Sequence, residues 1–112
     1  MREILFRGKR IDNGEWEYGG CVFTENKVCL IYNQTHSIDL QGCTVEENSV
    51  GQYTGLTDKN GKKIFENGYM IIDNKTYKVI FDNAEYILTN IFSCDIITLK
   101  NNSIKGVFVD EI

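Results

Sequence analysis

The stretch VGQYTGLTDKNGKKIFENG, residues 50–68, decides how the fold is interpreted. It holds four glycines and two aromatic residues in a chain that has no proline. Asn60-Gly61 stands near its centre, and this dipeptide is typical of a type I′ hairpin turn, in which both central residues have positive φ. Asp58 is suited to accept hydrogen bonds from the backbone of such a turn. We therefore predict a hairpin here.

The two sides of the stretch are suited to be the arms of this hairpin. Tyr53 and Phe65 lie one on each side of the turn and are the expected aromatic anchors. Gly51 and Gly55 permit a β-bulge or a close approach of two backbones. The predicted structural turn therefore consists of Gly51, Tyr53, Gly55, Asp58, Asn60, Gly61 and Phe65.

Two ligand-binding interpretations of the same stretch fail on spacing. An EF-hand loop that began at Asp58 needs glycine at its sixth position and glutamate at its twelfth, where this chain has Lys63 and Tyr69. A phosphate-binding loop needs four residues between its glycines, but Gly55 and Gly61 enclose five. We expect neither a metal nor a cofactor at this loop.

The composition and the turn spacing predict an all-β fold. Hydrophobic residues make up 42 % of the chain, they are largely β-branched or aromatic, and alanine occurs only at Ala84. Short apolar runs alternate with Gly, Asn and Asp, which favours a small antiparallel meander or barrel in which any helix is a single turn. The predicted strands cover residues 3–8, 15–25, 27–32, 69–72, 76–81, 85–91, 95–100 and 104–109, with a weaker strand at Ile38 and Leu40.

The length of 112 residues predicts a single domain over 1–112. We expect it to consist of two β-rich halves that share a core. The N-terminal part covers about 1–49, and the hairpin with a barrel-like C-terminal part covers about 50–112.

The charge of the chain is unevenly distributed. The net charge is −4, and residues 11–50 alone carry seven acidic residues against one lysine. Such a chain repels phosphate backbones, so nucleic-acid binding is disfavoured, whereas a basic protein partner is suited to the acidic segment. Glu46 and Glu47 in this segment, with the aromatic residues Trp16 and Tyr18, are the expected partner contacts.

Alternation along 15–25 also predicts that Trp16, Tyr18 and Val22 share the buried face of a strand.

No catalytic or metal-binding pattern emerges elsewhere. The four cysteines form no CxxC pair and His36 is the only histidine, so a structural zinc site is not predicted. No serine or cysteine stands in a known nucleophile motif. The carboxylate pairs Glu15/Glu17 and Glu46/Glu47 are typical of exposed faces. Because no catalytic pattern is present, we expect a non-enzymatic protein. No signal peptide or membrane-spanning run is apparent, so we expect it in the reducing cytosol.

The segments MREILFRGKR, GEWEYG and SVGQYTGLTDKNGKKIFENG resemble the YopX family of small phage and prophage proteins. The family motif V-x-Q-Y-T-G-L-x-D-K-N-G-K-x-I-(F/Y)-E-G-D is matched from Val50 through Glu66. The similarity is recognisable over about residues 1–72. The chain then departs from the family, with Asn67-Gly68 in place of Gly-Asp, and the usual ending is not recognisable.

The resemblance implies an all-β fold with SH3-like barrel character and a tendency to form homo-oligomers. It implies no established activity and no catalytic residues. We therefore expect a phage or prophage accessory protein in the bacterial host cytosol, acting on a host or phage protein through protein–protein contacts. The alternative is a nucleic-acid-binding module that uses the basic N-terminal segment as an arm and the tyrosines as a stacking platform.

Overall fold

The computed structural model describes residues 4–23, 29–32 and 42–111, with side chains for 4–21 and 44–111. It divides into two compact units, residues 1–52 and 53–112. The all-β prediction is confirmed. The strands form antiparallel sheets, and the described residues contain two single 3₁₀ turns but no α-helix. No helix in this part of the chain is long and apolar enough to cross a membrane.

The first unit is a meander of short strands. In space β4, β3, β2 and β1 follow one another, and the start of β5 lies beside β1. Its elements are β1 (Phe6–Lys9), β2 (Trp16–Phe23), β3 (Cys29–Tyr32), β4 (Gly42–Val45), a 3₁₀ turn (Glu47–Ser49) and β5 (Gly51–Thr57), which runs past the unit boundary.

Val45 is the centre of the small core in this unit, where Phe6, Cys21 and Val50 pack against it. The sequence predicted a loop rather than a strand at β4, Gly42–Val45. The strand forms by pairing with β3. A β-carbon on Gly8 would lie 2.7 Å from Val45 Cγ2, so the close packing of β1 on this core requires glycine.

The second unit contains the β5–β6 hairpin and a five-stranded sheet. The spatial order of that sheet is β10-β9-β8-β7-β11. Its elements are β6 (Lys63–Phe65), β7 (Tyr69–Ile72), β8 (Lys75–Asp82), β9 (Glu85–Asn90), β10 (Ile96–Thr98), a 3₁₀ turn (Ser103–Lys105) and β11 (Val107–Val109). Each strand predicted beyond residue 68 is present; those at 95–100 and 104–109 are shorter than predicted, and the one at 85–91 ends one residue earlier, at Asn90.

One face of the five-stranded sheet is the core of the second unit. Cross-strand pairs place large apolar residues opposite one another, such as Val79 with Leu88 and Met70 with Phe108. All four of these side chains are buried. Burial of each contributes about 1.5–3 kcal/mol.

Two tight turns connect the central strands of this sheet. Asp73-Asn74 and Asn83-Ala84 are two-residue loops in which both residues have positive φ. These are the features of the type I′ turn, whose twist matches that of the strands it connects. The turns predicted after residues 72 and 81 are therefore confirmed.

Candidate functional site

The loop between β5 and β6 is organised around the carboxylate of Asp58. Asp58 Oδ1 accepts the backbone N–H groups of Asn60 and Lys62, both at 2.9 Å. Asp58 Oδ2 accepts the backbone N–H of Phe108 in β11 at 2.8 Å. Asp58 is only 3 % exposed. The carboxylate thus joins the loop to a strand that lies fifty residues further along the chain.

Backbone hydrogen bonds define the loop as a different turn from the one predicted. Asp58 N–H donates to Lys62 O at 2.9 Å, and Gly61 N–H donates to Asp58 O at 3.0 Å. Gly61 has a φ of 81°, whereas Asn60 is not among the residues with positive φ. The prediction of a type I′ turn at Asn60-Gly61 is therefore wrong. The pattern is that of a three-residue loop with a left-handed glycine at its end, and the Asp58 carboxylate holds it in place.

The predicted anchors and the predicted bulge are both present in the hairpin. Tyr53 lies opposite Phe65, with ring centroids 5.7 Å apart. The register of β5 and β6 shifts between Tyr53 and Thr57, and Gly55 has a φ of 88° within this interval. Gly55 therefore supplies the bulge, since positive φ is readily adopted only by glycine. Gly51 lies at the other end of β5, where it pairs with Arg7.

The pKa of the Asp58 carboxyl results from two opposing causes. Burial raises it, because a charged group loses hydration. The hydrogen bonds from the N–H groups of Phe108, Lys62 and Asn60, with the charge of Lys62, lower it by more, so the net shift is downward. The group is therefore a charged hydrogen-bond acceptor at neutral pH and is unsuited to be a general acid.

Further contacts join this loop to the residues on either side of β11. Lys59 N–H donates to Gly106 O at 3.1 Å, and Lys62 Nζ lies 3.9 Å from Asp110 Oδ2. A β-carbon on Gly106 would collide with the Ile71 carbonyl oxygen, so β11 approaches β7 as closely as it does only with glycine there. We call the loop 58–62 with its β11 contacts the Asp58 clasp. Because backbone N–H groups occupy both carboxylate oxygens, the arrangement is suited to hold two strands together.

The first unit shows where two of the N-terminal basic residues lie. Arg7 is 1 % exposed, and its guanidinium carbon lies 4.0 Å from the centroid of the Trp16 ring. Such stacking of a cation on an aromatic face is favourable, and more so when both groups are desolvated. Arg10 donates to both carboxylate oxygens of Asp12, at 2.9 and 2.8 Å, and to Glu17 at 3.1 Å. Both arginines thus contact groups of the protein itself.

A family model for the YopX protein matches residues 5–109, which is nearly the whole chain. The chain belongs to the YopX family. The match extends well beyond residue 72, where the recognisable motifs end. No curated protein and no solved structure is significantly similar to the chain.

The loop of the Asp58 clasp lies within the stretch that resembles the YopX motif. Where that motif has Gly-Asp, this chain has Asn67-Gly68, and Asn67 adopts a φ of 70°. Asparagine tolerates this left-handed conformation better than most residues, so the replacement of glycine is compatible with the backbone. The chain turns from β6 into β7 at this point, with Asn67 N–H donating to Val79 O at 2.8 Å.

The predicted partner contacts of this YopX protein lie in different environments. Trp16 is half-buried beneath Arg7, and Tyr18 is 43 % exposed. The prediction that both lie on a buried strand face is therefore wrong for Tyr18. Glu46 and Glu47 are both exposed, as expected. Val22 and His36 lie outside the residues whose side chains are described, as do Ile38 and Leu40.

The two members of the carboxylate pair Glu15/Glu17 lie in different environments. Glu17 is bonded to Arg10, whereas Glu15 is exposed. Within the described residues no group of three His, Cys, Asp or Glu side chains is placed to hold a metal ion. The expectation of a protein without metal, cofactor or enzymatic activity stays a prediction.

Sequence reasoning missed two features. Nothing in the sequence indicated that Arg7 is buried, because a cation near the N-terminus is equally suited to an exposed basic arm. The exposure of Phe92 was also missed, because no role is predicted for this residue from the sequence. Phe92 is 87 % exposed in the loop between β9 and β10.

Proposed function

We propose that this YopX protein is a non-enzymatic phage or prophage accessory protein that acts through protein–protein contacts in the host bacterial cytosol. Its target is a component of host replication, transcription or defence. The family resemblance also supports contacts between copies of the chain. The observation that carries the proposal is the acidic end of the first unit, where carboxylates lie exposed while nearby arginines contact groups within the protein.

Two loops supply these carboxylates. Ile11 N–H donates to Thr44 O at 3.2 Å and Glu46 N–H donates to Lys9 O at 2.8 Å, so the loop after β1 and the segment after β4 lie side by side. An isolated antiparallel bridge between Arg10 and Val45 also joins the ends of β1 and β4. We call their exposed acidic residues the acidic end: Asp12, Glu15, Glu46 and Glu47.

The local charge balance at the acidic end favours a basic partner. Arg10 forms ion pairs with Asp12 and Glu17. The electrostatic potential at the acidic end is therefore set mainly by the other carboxylates. Carboxylates placed in this way steer a positively charged protein surface and raise its association rate. Tyr18, which is partly exposed on β2, offers an amphipathic aromatic contact of the kind that is enriched in interfaces.

The nucleic-acid alternative is less well supported by the same geometry. Tracking a phosphate backbone requires outward-facing Lys and Arg side chains. Arg7 is instead buried against Trp16, and Arg10 is held between two carboxylates. A gel-shift series with single-stranded DNA and RNA at low salt tests this alternative. Binding that weakens as salt increases would favour it over protein contact.

The proposal is tested by affinity capture from host lysate with charge-reversed variants. Glu46→Lys combined with Glu47→Lys reverses two charges at the acidic end. Asp82→Lys combined with Glu85→Lys, both exposed in the second unit, is the matched control. We expect the wild type and the control to retain the same protein and the first variant to lose it. Equal capture by all three, or no reproducible partner, would contradict the proposal.

A further inference from the structure

The dipeptide Asn-Gly occurs three times in the chain, at residues 13–14, 60–61 and 67–68. It is prone to deamidation, because glycine has no β-carbon to hinder its own peptide nitrogen. That nitrogen attacks the side-chain carbonyl carbon of the asparagine, and the side-chain nitrogen leaves as ammonia. The side chain must be free to turn toward the glycine, and the local backbone must be able to open. The surroundings of each pair therefore decide whether it reacts in the folded protein.

Asn67-Gly68 is fixed against β8. Asn67 N–H donates to Val79 O at 2.8 Å, and Gly68 O accepts from Val79 N–H at 2.9 Å. The attacking group, Gly68 N–H, donates to Phe65 O at 3.2 Å. Val79 is completely buried in the sheet. This pair reacts only when the sheet opens around Val79, and such openings of a core strand are rare.

Asn13-Gly14 is exposed, but its asparagine side chain is already engaged. Asn13 Oδ1 accepts the backbone N–H of Glu15 at 2.9 Å, and Asn13 Nδ2 lies 3.5 Å from Glu15 Oε2. Gly14 N–H donates to Arg10 O at 3.0 Å. The side chain must release both bonds to Glu15 before it can turn toward Gly14, and this slows the reaction.

Asn60-Gly61 lacks both kinds of restraint. Both residues are exposed, and no described residue forms a hydrogen bond with the Asn60 side chain. Nothing lies within 4 Å of a β-carbon placed on Gly61, so the space around the attacking nitrogen is open. Gly61 N–H donates to Asp58 O at 3.0 Å. A single neutral hydrogen bond of this kind adds little stability in water, so the turn can open here.

We propose that Asn60 is the principal site of deamidation in the folded protein, and that its isoaspartyl product loosens the Asp58 clasp. A C–N bond forms between Asn60 Cγ and Gly61 N, the Gly61 N–H proton is lost, and ammonia leaves. The resulting succinimide cannot donate from Gly61 to Asp58 O. Water then opens the ring at either carbonyl, which yields aspartate or isoaspartate at position 60.

The isoaspartyl product changes the part of the loop that the clasp depends on. Asp58 Oδ1 accepts the N–H groups of residue 60 and of Lys62, both at 2.9 Å. In isoaspartate the main chain runs through the former side chain, so one extra methylene separates these two N–H groups. One oxygen can no longer accept both in the present geometry. The new carboxylate also adds a like charge near Asp58, which further disfavours the charged clasp.

Peptide mapping after incubation in warm, mildly alkaline buffer tests the choice of site. Cleavage after glutamate places the three pairs in separate peptides, which end at Glu15, Glu66 and Glu85. The rate of each pair in guanidinium chloride, where the fold is absent, is its reference. We expect the ratio of folded to unfolded rate to be several-fold higher at Asn60 than at Asn13 or Asn67. Asn60→Gln should remove the product from the middle peptide.

Two results would overturn the choice of site. One is a ratio at Asn13 or Asn67 as high as that at Asn60. The other is an Asn60 that reacts in guanidinium chloride but not in the folded protein.

Urea unfolding of the purified isoaspartyl form tests its effect on the clasp. The matched control is Asn60→Asp, which gains the same charge without the extra methylene. We expect a lower urea midpoint for the isoaspartyl form than for Asn60→Asp. In an Asp58→Asn background the difference should shrink, because the clasp is already weakened and the two changes are coupled. Equal midpoints, or an undiminished difference in that background, would overturn the proposed loosening of the clasp.

Discussion

The Asp58 carboxylate accepts the backbone N–H of Phe108 at 2.8 Å, although the two residues lie fifty positions apart. The same carboxylate accepts two N–H groups of its own loop. One side chain therefore fixes the loop conformation and holds that loop against β11. The carboxylate thus has a structural role in this chain, within the stretch that resembles the YopX motif.

Replacement of Asp58 by asparagine should destabilise the protein. The amide has nearly the same shape, but its NH₂ group cannot accept the N–H that Oδ2 accepts now. We expect a loss of about 1.5–3 kcal/mol in the free energy of unfolding, the typical contribution of hydrogen bonds to a charged group. Urea unfolding measures this. Asp82→Asn, at an exposed position, is the control and should change the free energy little.

The stability of the protein should fall in acid through Asp58. Burial raises the pKa of this carboxyl, but the N–H hydrogen bonds lower it by more, so the folded pKa lies below the unfolded one. The unfolded state then binds more protons, and the contribution of Asp58 is complete above the unfolded pKa and is lost as the pH falls through the folded pKa. Urea unfolding from about pH 6 to pH 2.5 should show this decline.

The Asp58→Asn variant should have a shallower pH dependence over that range. Asp12 provides the comparison, because its pKa is also lowered, mainly by the side-chain hydrogen bond from Arg10. Asp12 is exposed to solvent, so Asp12→Asn should leave most of the pH dependence in place. If Asp12→Asn flattens the profile and Asp58→Asn does not, the carboxylate of the clasp is not the relevant group.

Replacement of Gly61 by valine should destabilise the protein more than removal of either neighbouring lysine side chain. Gly61 has a φ of 81°, and nothing lies within 4 Å of a β-carbon placed there, so the cost is backbone strain rather than a clash. That strain is roughly 1–2 kcal/mol for a residue other than glycine, and β-branching adds to it. Lys62→Ala and Lys63→Ala are the controls in thermal unfolding. Equal melting temperatures for the three variants would contradict this account of the turn.

Replacement of Ala84 by glycine should stabilise the protein. Ala84 is the only alanine in the chain, and it lies in the turn between β8 and β9 with a φ of 63°. Glycine adopts this conformation without the steric cost of a β-carbon, although it also increases the entropy of the unfolded chain. We expect a net gain of about 0.5–1 kcal/mol. Asn74→Gly is the comparison, and it should gain less because asparagine already tolerates positive φ.

The strands of the second unit could be predicted because turn residues separate them at short intervals. Asp73-Asn74 and Asn83-Ala84 fall between apolar runs, and each marks a real turn. Alternation was less informative in β2, where Tyr18 belongs to the predicted buried face but is exposed. The strand β4 escaped prediction because it depends on pairing with β3, a contact that local sequence does not encode.

The clasp could be predicted only in part. The role of Asp58 within its own turn follows from residue type, since aspartate commonly accepts nearby backbone N–H groups. Its bond to Phe108 does not, because nothing in the sequence relates a turn to a strand fifty residues away. The predicted turn type was wrong for a related reason. Asn60-Gly61 favours type I′ in a two-residue loop, but the carboxylate of Asp58 instead stabilises a three-residue loop.

Amide hydrogen exchange at Phe108, followed by NMR in wild type and Asp58→Asn, tests the clasp most directly. We predict that the Phe108 amide of the wild type is protected. In Asp58→Asn its protection should fall much more than that of Val79 in the centre of the sheet, because only Phe108 loses its acceptor. A Phe108 amide that exchanges freely in the wild type, or whose protection falls no more than that of Val79, would contradict the account.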